Sequence, residues 1–248
     1  MVAPVITNWN DSDKNYVYTF NYKKSGNYRL ICLVNGEPCK NSQNLLVSVL
    51  SGPVDGTKST FAPVSTSASA GVSYITDVKP ADTYSNHIVT ELSQTVVIEF
   101  SKAGSATGSI TCGSTAPISS TVDIESATCT FHTSGAYRVS AIFKTAAQYT
   151  IKATINSASA TSSAFTVAAG VPLASKCLVS APASGTAGVA AEFPVTLKDK
   201  YDNLVSNKAN LISVTVTRSS KNTFVMEPLP STTPSGTTYV TTILIKTA

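Results

Sequence analysis

"NYVYTFNYKKSGNYRLICLVNGEPC" occupies residues 15–39. Tyr16, Tyr18, Phe20 and Tyr22 recur at period two, the period of a strand rather than a helix. The run breaks at Lys24-Ser25-Gly26, resumes through "YRLICLV" and meets Asn35-Gly36, the strongest short-range hairpin signal. Counting outward from that turn sets Val34 against Glu37, Leu33 against Pro38 and Cys32 against Cys39. The pair flanking the turn is hydrogen-bonded, so 33/38 is not, and Pro38 falls where no ladder N–H is needed. The stretch predicts strand, turn, strand and tight hairpin only fourteen residues into the chain. A β-domain is then already in its last third.

The same signals continue to the other end. "TVVIEF" (95–100), "ISVTVT" (212–217) and "YVTTILI" (239–245) alternate and are rich in β-branched residues. Gly, Asn, Ser and Pro punctuate the strands at the spacing of a sandwich, and no long amphipathic helical segment is present. At roughly 100–150 residues per domain, 248 residues make two or three domains. "GPVDGTKSTFAPVSTSASAGVS" (52–73) carries little periodicity and reads as a linker, and "AFTVAAGVPLASKC" (164–177) as a second joint. The expected division is a partial unit at 1–57, a linker at 58–71, a complete sandwich at 72–168 and a further partial unit at 169–248.

"NYVYTFNYKKSG" (15–26) and "TYVTTILIKTA" (238–248) form an internal repeat. Tyr16 lies over Tyr239, Phe20 over Ile243, Tyr22 over Ile245 and Lys23 over Lys246. One strand type thus sits near the start of the first unit and at the end of the third. The expectation is that the first unit is the last third of a domain, the third unit is the first two-thirds of one, and the chain belongs to something longer.

Residues 16–50 resemble the C-terminal half of a filamin-type immunoglobulin repeat, through Tyr16, Tyr18 and Phe20 on one strand, Gly26 and Tyr28 opening the next, Gly36, Ser42 and the apolar strand 45–50. "AGVAAEFPVTLKDKYDNLV" (187–205) resembles the second strand of such repeats and its turn. "LKDKYDNLV" is also similar to a turn of bacterial adhesin-type immunoglobulin domains. In the middle unit, "ITDVKPADTY", "SITCGS" and "SATCTF" resemble the immunoglobulin-like domains of plexins and transcription factors, while "TSGAYRVSAIF" (133–143) fits the filamin pattern. The resemblance implies an all-β array of tandem immunoglobulin-like (filamin-type) β-sandwiches, which in filamins serve as spacers, mechanical links and peptide-docking modules.

Five cysteines are present. The hairpin register puts Cys32 and Cys39 at a hydrogen-bonded pair with Cα atoms about 5.5 Å apart, within disulfide reach. Cys112 and Cys129 lie on different predicted strands, and a bridge would tie them together. Cys177 is left over, either a buried thiol or the partner of a cysteine elsewhere. The competing reading makes all five small buried hydrophobes. Paired cysteines imply an oxidising compartment.

Sites for chemistry are absent from the pattern. There is no nucleophile elbow, phosphate-binding glycine loop or HExxH. The cysteine spacings match no zinc pattern, and only His87 and His132 could join them, so no metal or cofactor is expected. His132 reads as a strand-end residue and His87 as a loop residue. Asp199 and Asp202 flank a turn and are expected to cap their own backbone rather than bind calcium. The stripe Tyr16, Tyr18, Phe20 and Tyr22 reads as core-facing. Asn10-Asp11-Ser12 is an isolated glycosylation sequon.

Charged residues make up only 13%, about half the usual ~25%, and the net charge of +4 is spread along the chain rather than gathered on a basic face. Nucleic-acid binding is therefore not expected. No apolar run reaches the ~18 residues of a membrane span, and the first residues have no signal-peptide pattern. These features favour a non-enzymatic cell-surface adhesion or recognition ectodomain fragment acting as spacer and protein-binding module. Its expected partner is a protein, either a cell-surface receptor or the same protein on another cell, with strand exchange between chains as a further expectation. The alternatives are a cytoplasmic filamin-like scaffold that adds peptide strands to a sheet edge, and a structural repeat of a filament or surface coat.

Overall fold

The computed structural model describes residues 5–10, 12, 15–40, 45–114, 118, 121–186, 188–213, 231–235 and 238–244. The chain is all-β. Among the described residues the helical pieces are short 3₁₀ turns at Gly56–Lys58, Ala174–Lys176 and Ala209–Leu211.

Among the described residues the central sandwich has ten strands. These are β7 (Thr60–Pro63), β8 (Ala68–Ser69), β9 (Ser73–Lys79), β10 (Val96–Lys102), β11 (Ser105–Thr111), β12 (Ile124–His132), β13 (Ala136–Phe143), β14 (Gln148–Ile155), β15 (Ala158–Thr161) and β16 (Phe165–Ala168). One sheet runs β12-β13-β9-β7. The other runs β11-β10-β14-β16-β8, with β15 hairpinned onto β14. Alternation along β10, β13 and β14 sends every second side chain inward, so Ile98, Phe100, Val139, Phe143, Tyr149, Ile151 and Ile155 are at most 1% exposed. Aromatic rings bind the layers. Phe143 of one sheet lies 4.4 Å from Tyr149 and 5.7 Å from Phe165 of the other, centroid to centroid.

Part of the expected linker 58–71 proves to be strand. β7 pairs antiparallel with β9 in one sheet, and β8 pairs parallel with β16 in the other. One passage of chain crosses from sheet to sheet between Pro63 and Ala68. Each half spans only two to four residues, too short for period two to register in the sequence.

Cys112, just beyond β11, and Cys129 on β12 are disulfide-bonded, with Cα atoms 4.5 Å apart. β11 and β12 are edge strands of opposite sheets, so the bond closes one open side of the sandwich. With the cysteines 17 positions apart in sequence, replacing both by alanine is expected to destabilise the chain by about 3 kcal/mol. Denaturant unfolding of the double variant checks this.

Among the described residues the N-terminal segment has three antiparallel pairings. β1 (Val5–Asn10) pairs with β2 (Asn15–Thr19), β3 (Gly26–Leu30) with β6 (Leu45–Val49), and β4 (Leu33–Val34) with β5 (Glu37–Pro38). In the last of these Leu33 faces Pro38 and Val34 faces Glu37 around a turn with Asn35 at φ 51° and Gly36 at φ 86°. Both φ values are positive, as the primed turn of a right-twisted hairpin requires. Ser42, singled out in the sequence, lies outside the described residues.

In the C-terminal segment β17 (Leu178–Val179), β18 (Ala190–Thr196), β19 (Ser231–Ser235) and β20 (Thr238–Leu244) form a sheet of order β17-β18-β20-β19. This matches β7-β9-β13-β12 of the central sandwich position for position. The correspondence extends to one hydroxyl. Tyr137 Oη accepts from Leu92 N at 2.9 Å, and Tyr239 Oη accepts from Lys208 N at 2.7 Å. Val195, Leu197, Val205 and Tyr239 make a small second core. Most of "ISVTVT" lies outside the described residues.

The aromatic stripe of the N-terminal segment differs from expectation. Tyr16 is 65% and Tyr18 46% exposed, whereas Tyr137 and Val139 on the corresponding strand of the central sandwich are 4% and 1% exposed. Phe20 and Tyr22 of the same stripe are half-buried, and the Tyr22 ring lies 4.6 Å, centroid to centroid, from Tyr28 of β3.

Candidate functional site

The most elaborate polar constructions of the molecule lie where one segment meets the next, and they occur twice with the same parts. Both grow from the short sequence Asp-x-Tyr-x-Asn. The first copy is Asp82, Tyr84 and Asn86; the second is Asp199, Tyr201 and Asn203. Each follows the strand next to the 3₁₀ start of its unit.

In the second copy Asp199 is 1% exposed. Its Oδ1 accepts from Tyr201 N (2.9 Å) and Asn203 N (3.0 Å), which folds the turn on itself. Its Oδ2 accepts from Gly170 N (2.8 Å), where the chain enters the unit, and from Asn203 Nδ2 (2.8 Å). Asn203 then reaches back into the central sandwich: its Nδ2 donates to Lys144 O (2.7 Å) and its Oδ1 accepts from Ala146 N (2.9 Å). Asp202 at the turn tip has φ 68° and pairs with Lys176 at 2.9 Å. A carboxylate shared by four N–H donors is fully satisfied without a counter-ion.

The first copy repeats this bond for bond. Asp82, also 1% exposed, accepts from Tyr84 N and Asn86 N on Oδ1 (both 2.9 Å) and from Gly52 N and Asn86 Nδ2 on Oδ2 (both 2.8 Å). Asn86 Nδ2 donates to Lys23 O at 2.9 Å, and Ser25 N donates to Asn86 Oδ1 at 3.1 Å. In each case the asparagine reads only the backbone of the preceding segment.

In the second copy the entry glycine is required by close approach. A Cβ on Gly170 would sit 2.6 Å from Ala70 O and 3.2 Å from Asp199 Oδ2. The second junction carries an extra strut. Tyr201 Oη donates to Glu125, and Lys200 lies 3.7 Å from the same carboxylate and 4.5 Å from the Tyr201 ring centroid.

Burial would raise the Asp82 carboxyl. The Asn86 amide and the N–H groups of Asn86, Gly52 and Tyr84 outweigh it and hold the group down at about 2. A depressed carboxyl contributes stability that is present above its ordinary value near 4 and is lost as pH falls toward 2. The thermal midpoint is therefore expected to fall between pH 4 and pH 2. Asp82→Asn, which has no carboxyl to protonate, should show a smaller fall. Calorimetry across that range checks it.

Elsewhere the expected site residues take ordinary places. Cys32 and Cys39 lie side by side at the base of the β4–β5 hairpin, their sulfurs 3.0 Å apart. Cys177 packs partly buried against the second core. His87 Nε2 lies 3.0 Å from Gly135 O, and His132 Nδ1 lies 3.1 Å from Ser134 Oγ at the end of β12. The Asn10 side chain accepts from Ser12 N at 3.0 Å. No cluster of three or more potential metal ligands occurs among the described residues. No helix among them is long and apolar enough to cross a membrane. Two open depressions of about 460 and 320 Å³ are lined mainly by hydroxyls and small side chains, the larger by Ser93, Gln94, Thr95 and Ser157 among others. Neither brings a nucleophile to a base.

The junctions were missed in the sequence because their parts are scattered. "ADTYSN" and "KDKYDN" are visible separately, and superposing them would have exposed the shared Asp-x-Tyr-x-Asn.

No protein-family profile matches the chain, and no curated protein matches it. Solved structures do. FdeC, described as a broadly conserved Escherichia coli adhesin, is 16% identical over 99% of this chain and 74% of its own, with a TM-score of 0.57. The likeness is one of fold, an all-β immunoglobulin-like sandwich. The likeness does not single out a filamin-type repeat. Invasin, a bacterial integrin-binding protein, is 16% identical over 82% of this chain and 37% of its own, TM-score 0.47. Domains 4–9 of the surface layer protein SbsC are 18% identical over 82% of this chain and 29% of theirs, TM-score 0.26.

Proposed function

We propose that this chain is part of a non-enzymatic cell-surface adhesin, in which immunoglobulin-like units serve as a stiff spacer and present loops or sheet edges to a protein partner. The observation that carries the reading is the duplicated junction. Two buried carboxylates, each holding an entry glycine and an asparagine that grips the preceding unit, restrain successive units from swivelling. A free linker would serve a flexible scaffold equally well. A fixed joint serves a protein that must hold a binding end away from a surface. The Cys112–Cys129 disulfide supports an oxidising, extracellular setting over the cytoplasmic scaffold. The partner is a receptor on another cell or the same protein displayed there.

The test combines shape and binding. Small-angle scattering of the purified chain should give one extended envelope, and an Asn86→Ala/Asn203→Ala variant should give a broader distribution of sizes. Beads coated with the chain should then bind cells or one another. A rigid envelope without any binding would favour a structural surface coat. A flexible wild-type chain would remove the basis of the proposal.

Strand exchange between chains also belongs to this reading. It is supported by the uncovered Tyr16 and Tyr18 face of the N-terminal segment, and a strictly monomeric chain in light scattering at high concentration would oppose it.

A further inference from the structure

The central sandwich carries both halves of a joint. Its entry turn, Asp82-Thr83-Tyr84-Ser85-Asn86, grips the N-terminal segment. Its exit end offers Lys144 O and Ala146 N to the C-terminal segment. Gly71 of the exit end precedes β9 and Asp82 follows it, so the two halves lie at opposite ends of one strand. The entry turn and the turn that fills the exit end share one frame. Ser85 and Asp202 take the same turn position with φ 61° and 68°. Val54 bridges to Asp82 as Pro172 bridges to Asp199. The 3₁₀ turns Gly56–Lys58 and Ala174–Lys176 stand at the same distance from Gly52 and Gly170.

Contacts at the exit end are of two kinds. Asn203 addresses one carbonyl and one N–H, groups that do not depend on the side chains there. Tyr201 addresses a shaped seat. Its ring packs on the core of the central sandwich, and its phenol donates to Glu125 of β12. It passes over Gly71, where a Cβ would lie 3.2 Å from Tyr201 Cε2 and 3.1 Å from Lys200 Cε. Gly71 also has φ 79°, so space and backbone both require glycine. Tyr84 has the same phenol in the same place of its turn. It is 50% exposed, with Lys23 Nζ 6.0 Å from its ring centroid. Among the described residues no hydrogen bond reaches its phenol.

We propose that the exit end of the central sandwich is a general socket for any unit bearing an Asp-x-Tyr-x-Asn turn, and that a second copy of the central sandwich docks there as the C-terminal segment does. The proposal rests on the reading of the junctions as fixed joints and names what they accept. In such a pair Asn86 of the following copy donates to Lys144 O of the preceding one and accepts from its Ala146 N. Tyr84 of the following copy leaves solvent and donates to Glu125. Gly52 comes against Ala70 O, as Gly170 does. Turn and socket lie at opposite ends of one unit, so the contact is head-to-tail and extends a row of units rather than closing a dimer.

Two variants of the full chain test this. Lys200→Thr/Asp202→Ser rewrites the C-terminal turn as that of the central sandwich. It removes the exposed Lys200–Glu125 and Lys176–Asp202 pairs, which contribute little. Its scattering envelope and thermal profile should match those of the wild-type chain, whereas Asn203→Ala broadens the envelope. The second variant repeats residues 52–169 between Ala169 and Gly170. Scattering should give one longer, extended particle. Tyrosine nitration read by peptide mass should find the Tyr84 peptide in two forms, one modified and one protected, where the wild-type chain gives the modified form alone. Glu125→Ala in the first copy should abolish that protection. A broadened envelope for the rewritten turn would overturn the proposal. So would an inserted copy that swings freely, or two Tyr84 side chains that react alike. A flexible wild-type chain defeats the spacer reading and this proposal together, whereas a rigid wild-type chain with a loose insert defeats this proposal alone.

Discussion

Replacing Asp199 by alanine is expected to destabilise the junction by about 3–5 kcal/mol and to uncouple the C-terminal segment from the central sandwich. The carboxylate is almost fully buried and accepts from Gly170 N, Tyr201 N, Asn203 N and Asn203 Nδ2. Its removal strands these donors at once. Each buried unsatisfied donor costs about 1–3 kcal/mol, and water entering the gap recovers part of the sum. Asn203 would also lose the contact that aims its amide at Lys144 O and Ala146 N. Calorimetry should then resolve a separate low-temperature transition for the C-terminal segment, and scattering should show a wider spread of sizes. Asp199→Asn keeps the shape and one acceptor oxygen and should fall between the two. A loss below about 1 kcal/mol, with the scattering curve unchanged, would mean that the cohesion of the joint lies elsewhere.

Phe143→Ala is expected to cost about 3–5 kcal/mol and to unfold the central sandwich well below the wild-type midpoint. Phe143 is fully buried. Its ring lies 4.4 Å from Tyr149, 5.7 Å from Phe165, 6.0 Å from Phe100 and 6.4 Å from Tyr74. Truncation leaves a cavity between two sheets that hydrogen-bonded ladders keep from collapsing, so relaxation is small. Phe143→Leu retains most of the volume and should cost about 1–2 kcal/mol. Because Phe143 follows the inner face of β13 and the junction contacts begin at Lys144, the alanine variant should also loosen the grip of Asn203. Denaturant unfolding of single and double variants with Asn203→Ala should therefore be non-additive.

Much of the architecture was legible because it depends on neighbours in the chain. Alternation in "TVVIEF" and "YVTTILI" marked β10 and β20, since the pleat sends successive residues to opposite faces. Asn35-Gly36 set the register of its hairpin, since those residues accept the positive φ the turn requires. Pairing of Tyr16 with Tyr239 pointed to repetition. The passage 60–69 escaped because it divides its few residues between two sheets, and neither half shows a period. The stripe at Tyr16 and Tyr18 was placed in a core by alternation alone, which says that a face is apolar but not that anything covers it.

By itself the sequence determined an all-β chain of repeated sandwich units, the turn chemistry between strands and the absence of a recognisable catalytic pattern. These follow from local sterics, periodicity and residue type. Only the tertiary structure decided that Asp82 and Asp199 are structural anchors rather than turn caps alone. Only it showed that one asparagine in each copy holds two units together, and that Cys112 closes on Cys129 across opposite sheet edges. Those outcomes rest on contacts between residues remote in sequence, made to backbone groups that every residue possesses. No local pattern marks a backbone carbonyl such as Lys144 O as the one that will be gripped, because its selection comes from where the folded sheets place it.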